Sequence, residues 1–238
     1  MKKITSLIRR AIEEYDMIDD GDRVAVGVSG GKDSLALLHA LADLSKYYPK
    51  KFEVVGITLD MGYNADYSKI QEMCDRLGVQ YIIKKTNIKE IIFDLRHEKN
   101  PCSLCAKMRR GALNDVVIEQ GCRKVALGHH KDDVLETFFL SLFYEGRINC
   151  FSPVTYLDRT DIYQIRPMIF VPEKDIIGAA RRLPLPVVHN ECPANGYTKR
   201  QEIKDLIKQL DKTTNPGLKT RLFTAIKDST IDGWRVDK

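Results

Sequence analysis

The sequence lacks any long uninterrupted run of apolar residues. No segment of its 238 residues approaches the roughly 18 consecutive apolar residues that a membrane-spanning helix requires. The first residues, MKKITSLIRRAIEEYDMI, interrupt their apolar stretches with charges, whereas a secretory signal peptide needs a continuous one. We therefore expect a soluble, cytoplasmic protein with no membrane partner.

Strong compositional bias and internal repeats are absent as well. Hydrophobic residues make up 43% of the chain and charged residues 30%, close to globular averages, which excludes disordered and collagen-like proteins. The length allows one large domain, or one domain with an appendage. Six cysteines in a cytoplasmic chain are not expected to form structural disulfides, so metal binding, catalysis or core packing must explain them.

The net charge is small, at +5, but the basic excess concentrates near the end of the sequence. From residue 197 to residue 238, ten Lys or Arg residues stand against six Asp or Glu. Four basic residues recur at every fourth position of a predicted helix that starts at Thr198: Arg200, Lys204, Lys208 and Lys212. Such a ridge fits a nucleic-acid backbone, although an ordinary solvated helix face gives the same pattern.

Short runs rich in valine and isoleucine alternate with helical patterns. Predicted strands cover residues 23–28, 52–59, 79–84, 124–127 and 161–165, and the principal helices between them cover residues 33–44, 67–77, 106–119 and 133–144. Strand and helix alternation of this kind predicts an α/β fold with a parallel five-stranded sheet and helices on both faces. We expect an N-terminal amphipathic helix over residues 1–22, an α/β domain over 23–183, and a C-terminal extension with a third cysteine and basic helices over 184–238.

A glycine-rich turn joins the first predicted strand to the helix after it. Its sequence is Ser29, Gly30, Gly31, Lys32, Asp33 and Ser34. Small residues at a strand-to-helix turn let backbone N–H groups approach an anion, and the helix N-terminus adds a favourable dipole. The turn is not a Walker loop, which requires glycine at Val26 and a hydroxyl residue at Asp33. We interpret it as a phosphate site, the alternative being a tight turn without a ligand.

A second acidic motif, GHHKDD, follows the fourth strand, so it lies on the same rim of the sheet. Asp132 and Asp133 beside a triphosphate could share Mg²⁺. For Asp133 a helix-capping role, with Glu136 three residues later, is an equal alternative. The motif also contains Gly128 and His129, and we expect its two adjacent histidines to act as neutral donors at a nucleotide pocket.

Two cysteines, Cys102 and Cys105, form a C-x-x-C motif that we expect in a loop before the helix containing Arg109 and Arg110. This spacing suits one metal, although redox pairs also use it. Cys192 supplies a third thiol, and His189, three residues before it, could complete a structural zinc site. Cys74, Cys122 and Cys150 are expected in the core.

The glycine-rich turn, residues 29–34, is called the phosphate turn below. It resembles the SGGxDS signature of the PP-loop ATP pyrophosphatases, which cleave ATP between its α and β phosphates, and the resemblance implies that residues 23–183 form an ATP-binding catalytic domain. The resemblance implies that residues 29–34 bind the pyrophosphate and that Leu59 and Asp60, at the end of the second strand, meet the adenine. It extends the nucleotide site to Gly128, His129, Asp132, Asp133 and Arg166.

The order of the motifs is similar to that of the tRNA-cytidine 2-sulfurtransferases, the TtcA family. SGGKDS, PCSLC followed by Arg109 and Arg110, GHHKDD, an Ile-Arg-Pro sequence at Arg166 and a late cysteine all match over roughly residues 20–200. The resemblance implies a 4Fe–4S cluster on Cys102, Cys105 and Cys192, and a tRNA substrate thiolated at an anticodon-loop cytidine, position 32. Family members commonly carry a second cysteine near the late site, where this chain has Pro193-Ala194-Asn195.

The resemblance also implies a mechanism and partners. The C2 oxygen of cytidine is adenylated and then replaced by sulfur, with Lys32, Asp33, Arg109 and Asp132 as catalytic residues. Expected partners are tRNA, a sulfur donor such as a cysteine desulfurase, and a second copy in a homodimer. The alternatives are a 2-thiouridine synthase or lysidine-type synthetase of the same superfamily, or a nucleotide-binding module with structural zinc.

Overall fold

A computed structural model describes residues 1–96, 101–188, 198–213 and 217–236. Its six β-strands are β1 (Asp22–Gly27), β2 (Phe52–Asp60), β3 (Gln80–Lys85), β4 (Lys124–Ala126), β5 (Val154–Leu157) and β6 (Ile162–Ile165). Its α-helices are α1 (Lys2–Glu14), α2 (Lys32–Leu44), α3 (Ser68–Leu77), α4 (Pro101–Glu119), α5 (Lys131–Leu140), α6 (Glu173–Arg182), α7 (Lys199–Thr213) and α8 (Leu218–Lys227). Two short π-helices cover Glu90–Leu95 and Ser141–Glu145.

The strands form one sheet in the order β3-β2-β1-β4-β6-β5. Every pairing is parallel except that of β5 with β6, which is antiparallel. The predicted α/β class is confirmed, but the prediction of five strands is wrong, because β5 is a sixth. That strand lies at the sheet edge, where its residues are only partly covered, so it carries no continuous apolar run.

Helices cover both faces of the sheet, and alternate residues of β1 show how. Val24 and Val26 point into the larger core, which is packed by α1, α2, α3 and α5 to α8. Ala25 points the other way, into a smaller core beneath α4 that includes Val116 and Val117. Successive strand residues face opposite sides of a sheet, so a buried parallel strand is apolar throughout.

Helix α4 begins at Pro101, five residues before the predicted start. Proline is well tolerated in the first turn of a helix, where its missing N–H has no intrahelical partner. Cys102 and Cys105 therefore lie in the first turns of α4, and the prediction that they occupy a loop is wrong. Their spacing of three residues places them on the same helix face.

Trp234 connects distant parts of the chain. Its side chain is 1% exposed, and its ring packs edge-on against Tyr15, after α1, and Phe223, on α8. The indole Nε1 donates to the carbonyl of Phe151 at 3.0 Å, and the Tyr15 hydroxyl donates to the Trp234 carbonyl at 3.3 Å. The N-terminal helix and the segment after α8 are thereby fixed to the chain near Phe151.

Five parallel strands, β1, β2, β3, β4 and β6, end at one rim of the sheet, and the strand order reverses between β1 and β4. Ligands of open α/β sheets bind outside the carboxyl ends of the strands at such a reversal. Helix α6 ends at Arg182, next to the domain boundary expected at residue 183, and the proposed division into domains stays a prediction. None of the helices in the described ranges is long and apolar enough to cross a membrane.

Candidate functional site

A cavity of about 550 Å³ opens at this rim of the sheet. The predicted site residues among its lining are Ser29, Asp33, Ser34, Leu59, Arg109, Gly128, His129 and Arg166. They come from the ends of β1, β2, β4 and β6 and from α4, and the fold brings them together as the motif order predicted.

Hydrogen bonds within the phosphate turn fix its conformation. Gly30 has φ +81°, a left-handed conformation that glycine adopts without steric cost. The Ser34 hydroxyl accepts from the Ser29 backbone N–H at 3.1 Å and donates to the Gly31 carbonyl at 3.0 Å. Gly31 is the N-cap residue of α2, and no side chain caps this helix end. The backbone N–H groups of the helix N-terminus therefore face the turn, as an anion site requires.

Gly128 allows the turns after β1 and β4 to touch. A Cβ at this position would lie 3.1 Å from the backbone nitrogen of Ser34 and 3.2 Å from the carbonyl carbon of Asp33. Both contacts are with backbone in the first turn of α2, which cannot move away as a flexible side chain could. The glycine therefore sets the distance between the phosphate turn and the GHHKDD motif.

Lys32 and Asp33 meet at the mouth of the turn. Lys32 Nζ donates to Asp33 Oδ2 at 3.0 Å and to Glu173 Oε1 at 3.1 Å. Burial works to lower the pKa of Lys32, but the two carboxylates outweigh it and raise the pKa. Asp33 Oδ1 is buried with no hydrogen-bond partner among the described residues, and Asp33 lines the cavity. Among the described residues that line the cavity, the Asp33 carboxylate is therefore the one placed to meet a cation or a donor, through its Oδ1.

Both carboxylate oxygens of Asp132 accept hydrogen bonds from distant parts of the fold. Its Oδ2 accepts from the Glu173 backbone N–H at 2.7 Å, and its Oδ1 accepts from Lys219 Nζ at 2.7 Å. Burial works to raise the pKa of Asp132, but these donors outweigh it and lower the pKa. Asp132 is not among the described residues that line the cavity.

Asp133 caps helix α5 in a manner that the sequence pattern did not predict. The His130 backbone N–H donates to Asp133 Oδ2 at 2.9 Å, and the Asp133 N–H donates to His130 Nδ1 at 3.3 Å. The capping alternative is therefore correct for Asp133, but its partner is His130 and the prediction of Glu136 is wrong. His130 also approaches the phosphate turn, with its Nε2 3.9 Å from Asp33 Oδ1.

His129, Phe151 and Arg166 form one wall of the cavity. The His129 and Phe151 rings have centroids 5.0 Å apart, and the Arg166 guanidinium lies 5.0 Å from the Phe151 centroid. Burial, aided by the nearby Arg166, lowers the pKa of His129 to about 4. His129 is therefore neutral at physiological pH, as predicted. Its Nδ1 is a buried atom with no partner in the described part of the chain.

Arg166 is only 6% exposed. Its Nη1 donates to the Ser152 carbonyl and to Thr155 Oγ1, and its Nη2 donates to Gln164 Oε1 at 2.9 Å. Burial, together with the nearby Arg110 guanidinium, lowers the pKa of Arg166 to about 10, so the group stays charged at neutral pH. Arg109, Arg110 and Arg166 all line the cavity, and among the described lining residues the one carboxylate is that of Asp33. The surplus of cations suits a polyanionic ligand.

The second strand supplies the apolar end of the cavity. Leu59 lines it together with Ile57, Met61, Tyr63 and Tyr67. The neighbouring residue, Asp60, is not part of the lining, and its Oδ1 accepts from the Gly62 N–H at 3.0 Å. Sequence reasoning missed the two tyrosines and Phe151, because single aromatic residues in loops form no periodic pattern.

The C-x-x-C motif directly precedes the part of α4 that borders the cavity, and neither cysteine is itself part of the described lining. Ala106, next to Cys105, is part of that lining. Cys102 is exposed and Cys105 half-buried, and neither forms a disulfide within the described ranges. Cys192 and His189 lie outside the described residues, and the remainder contains no cluster of three metal-ligating side chains.

The other three cysteines are buried, as predicted: Cys74, Cys122 and Cys150. Burial raises the pKa of both the Cys74 and Cys150 thiols to about 12, which makes them poor nucleophiles and poor metal ligands.

Two of the four residues in the basic ridge predicted on α7 form ion pairs with acidic residues. Arg200 Nη1 lies 3.3 Å from Glu136 Oε2, and Lys204 Nζ lies 2.8 Å from Glu173 Oε2. Of the four basic residues, Lys204 is half-buried, whereas Arg200, Lys208 and Lys212 are exposed, and the nucleic-acid role of the ridge stays a prediction. The helical period places residues on a face but does not show what that face packs against.

Known proteins resemble this chain over nearly its whole length. Residues 2–210 match a family described as the PP-loop domain. The chain is 39% identical over 230 residues to the tRNA-cytidine(32) 2-sulfurtransferase of Citrifermentans bemidjiense, covering 95% of this chain and 90% of that protein. It is 41% identical over 231 residues to the protein of the same name from Geotalea daltonii, covering 94% and 90%.

Solved structures share the fold. The U34-tRNA thiolase NcsA from Methanococcus maripaludis, with its 4Fe–4S cluster, superimposes with a TM-score of 0.74 at 25% identity, covering 94% of this chain and 77% of that one. The NMN synthetase from Francisella tularensis, at 13% identity, has a TM-score of 0.54 and covers 100% and 97%. The second likeness shows the fold alone.

Gly128→Ala should impair the phosphate turn. The added methyl group would press on the backbone of Asp33 and Ser34, so we expect affinity for inorganic pyrophosphate to fall by roughly tenfold, measured by titration calorimetry. Gly111→Ala is the matched control, since a Cβ there meets nothing within 4 Å. Equal affinities in the two variants would contradict the assigned role of Gly128.

His129 should make stability depend on pH. Its pKa is lowered from 6.5 to about 4 in the folded state, so the unfolded state binds more protons between these values. The free energy of unfolding should therefore fall as the pH drops from about 6.5 to 4. In His129→Gln this part of the slope should disappear, as measured by urea unfolding at several pH values. An unchanged slope in the variant would show that His129 does not cause it.

Proposed function

The chain belongs to the PP-loop family of tRNA-cytidine(32) 2-sulfurtransferases, and from this premise we propose that it catalyses the ATP-dependent thiolation of tRNA. The C2 oxygen of an anticodon-loop cytidine, at position 32, attacks the α-phosphorus of ATP, and pyrophosphate leaves. Sulfur at the sulfide level, released from the donor by a thiol reductant, then forms a bond to C2; the bond from C2 to the adenylated oxygen breaks, and AMP leaves with that oxygen, giving 2-thiocytidine. Oxide is a very poor leaving group, so the activation makes the replacement possible.

One observation carries the proposal. The phosphate turn and the helix with the C-x-x-C motif border the same cavity, through Ser29, Asp33 and Ser34 on one side and Ala106 and Arg109 on the other. A plain nucleotide-binding module has no need for cysteines there. An enzyme that must activate an oxygen and then deliver sulfur to the same carbon requires both close together.

The cavity fits ATP along its length. Gly30 and the N-terminus of α2 suit the pyrophosphate portion, and Leu59 with Tyr63 and Tyr67 forms an apolar end that suits adenine. Lys32, Arg109 and Arg166 would neutralise charge as it builds on the leaving pyrophosphate. Such preorganised donors and cations commonly provide the largest part of catalysis in phosphoryl and nucleotidyl transfer.

Mg²⁺ enters the proposal with the nucleotide. Protein sites for this ion usually use one or two carboxylates together with substrate phosphates. Asp33, with its unpartnered Oδ1 at the cavity, fits that role. Asp132, the stronger candidate from the sequence, fits poorly because both of its oxygens already have donors.

The cysteines fit an iron–sulfur cluster better than a closed zinc site. Cys102 and Cys105 share the exposed first turns of α4. Cys192, which lies outside the described residues, would supply the third thiolate. When bound, a cluster with only three cysteine ligands supplies a position for the sulfur that is transferred. Iron–sulfur clusters are held by thiolates of this kind.

Partners and surroundings complete the proposal. tRNA is the substrate, and the exposed Lys208 and Lys212 on α7 are available for its phosphates. A cysteine desulfurase is the proposed source of sulfur. We also propose that the protein works in the cytoplasm and forms a homodimer.

The nucleotide half of the proposal is tested in the phosphate turn. Asp33→Ala should reduce tRNA-dependent pyrophosphate release by more than 100-fold, roughly the size of losing one transition-state contact. The fold should survive because Asp33 lies at an open turn. Asp43→Ala is the control, because Asp43 is half-buried near the far end of the same helix, away from the turn. Release near the wild-type rate in Asp33→Ala would remove the assignment.

The sulfur half is tested on anaerobically purified protein. Iron, sulfide and zinc are measured together with the thiolated nucleoside, identified by mass spectrometry of digested tRNA. We expect a brown protein that forms 2-thiocytidine, and loss of iron and product in Cys102→Ala, Cys105→Ala and Cys192→Ala but not in Cys122→Ala. Colourless protein with stoichiometric zinc would contradict the iron–sulfur cluster. Formation of 2-thiouridine would show that the modified nucleoside is a uridine and not a cytidine. Loss of bound metal in His189→Ala would favour zinc.

A further inference from the structure

Glu173 connects the phosphate turn to the C-terminal helices. Its Oε1 accepts from Lys32 Nζ at 3.1 Å and from Lys204 Nζ at 2.9 Å, and its Oε2 lies 2.8 Å from Lys204 Nζ. The Glu173 side chain is 15% exposed, so its charge is screened little by solvent. One carboxylate thus lies between the lysine of the phosphate turn and a lysine of α7.

The backbone of Glu173 is held as firmly as its side chain. Glu173 is the first residue of α6, and its N–H donates to Asp132, which also binds Lys219 of α8. Helices α7 and α8 therefore each contribute one lysine to a network beneath the phosphate turn. Burial works to raise the pKa of Glu173, but Lys204 and Lys32 outweigh it and lower the pKa, so the group is charged at neutral pH.

The position of Lys32 depends on these contacts. A lysine side chain has four rotatable bonds, and in an open turn it samples many orientations. Asp33 is adjacent to Lys32 in the chain, whereas Glu173 reaches Nζ from a different element, at the start of α6. Lys204 at the same time neutralises the negative charge of Glu173.

We propose that Glu173 is a positioning residue that aims Lys32 at the phosphates of ATP, and that Lys204 balances its charge, so that the docking of α7 sets how strongly the phosphate turn attracts ATP. This inference rests on the proposed function. Glu173 acts through Lys32 and needs no contact with the nucleotide.

The charges make the two partners distinguishable. Lys32 and Lys204 balance Asp33 and Glu173, so the network is neutral before ATP arrives. Lys204→Met leaves one negative charge in excess near a polyanion and should weaken ATP binding. Glu173→Gln leaves one positive charge in excess and should strengthen binding, while releasing Lys32 from its aimed position. Each shift should be roughly tenfold, as for one partly screened charge.

Equilibrium binding is measured on the full-length holoprotein without tRNA, by calorimetry with an ATP analogue carrying a methylene group between the α and β phosphates. We expect weaker binding in Lys204→Met, tighter binding in Glu173→Gln, and near wild-type affinity in the double variant. Lys208→Met is the control, because it removes the same charge from an exposed position one turn further along α7. Weaker binding in both single variants, or equal effects of Lys204→Met and Lys208→Met, would overturn the inference.

Kinetics provide the second readout. In tRNA-dependent pyrophosphate release, Lys204→Met should raise KM for ATP with little change in kcat, whereas Glu173→Gln should lower kcat by at least tenfold without raising KM. Glu173→Asp should recover part of kcat. A purely structural carboxylate predicts instead a higher KM and a lower melting temperature in both variants, and that result would overturn the inference. Failure of the wild-type protein to release pyrophosphate would refute the proposed function itself.

Discussion

The site depends on one close approach between two turns of backbone. The chain after β4 passes the first turn of α2 at a distance that leaves no room for a side chain, and Gly128 occupies that point. The approach follows from the parallel pairing of β1 with β4, which ends both strands at the same rim. Because the two turns touch, Ser29, Asp33 and His129 surround one volume. The apolar wall from β2 and the arginines of α4 and β6 are then placed by the rest of the sheet.

Local sequence predicted the parts of the molecule that local chemistry determines. The strand and helix alternation, the glycine turn between β1 and α2 and the burial of Cys74 follow from short-range patterns, and the structure confirms them. The strand β5 was missed because an edge strand does not need a buried apolar run. The start of α4 was misplaced because proline was taken as part of a loop, although it also suits a first helical turn.

The roles of charged residues were the hardest to predict. Asp132 and Asp133 are adjacent in sequence, yet one binds Lys219 and the α6 backbone while the other caps its own helix. Lys204 belongs to an apparent basic ridge but pairs with Glu173, 31 residues earlier. Ion pairs between distant segments depend on tertiary packing, which a helical period does not contain. The family resemblance identified the motifs, but not which of their side chains are committed to holding the fold together.

The contacts of Trp234 also constrain how the protein is made. This residue bonds to Phe151, 83 positions earlier, and accepts a bond from Tyr15, 219 positions earlier. Pairings across such separations form late in folding, because closing long loops costs chain entropy before the contacts repay it. A nascent chain that has left the ribosome only through the phosphate turn and the C-x-x-C helix lacks the support behind Phe151. The cavity wall that Phe151 forms is therefore held from behind only once the chain includes Trp234.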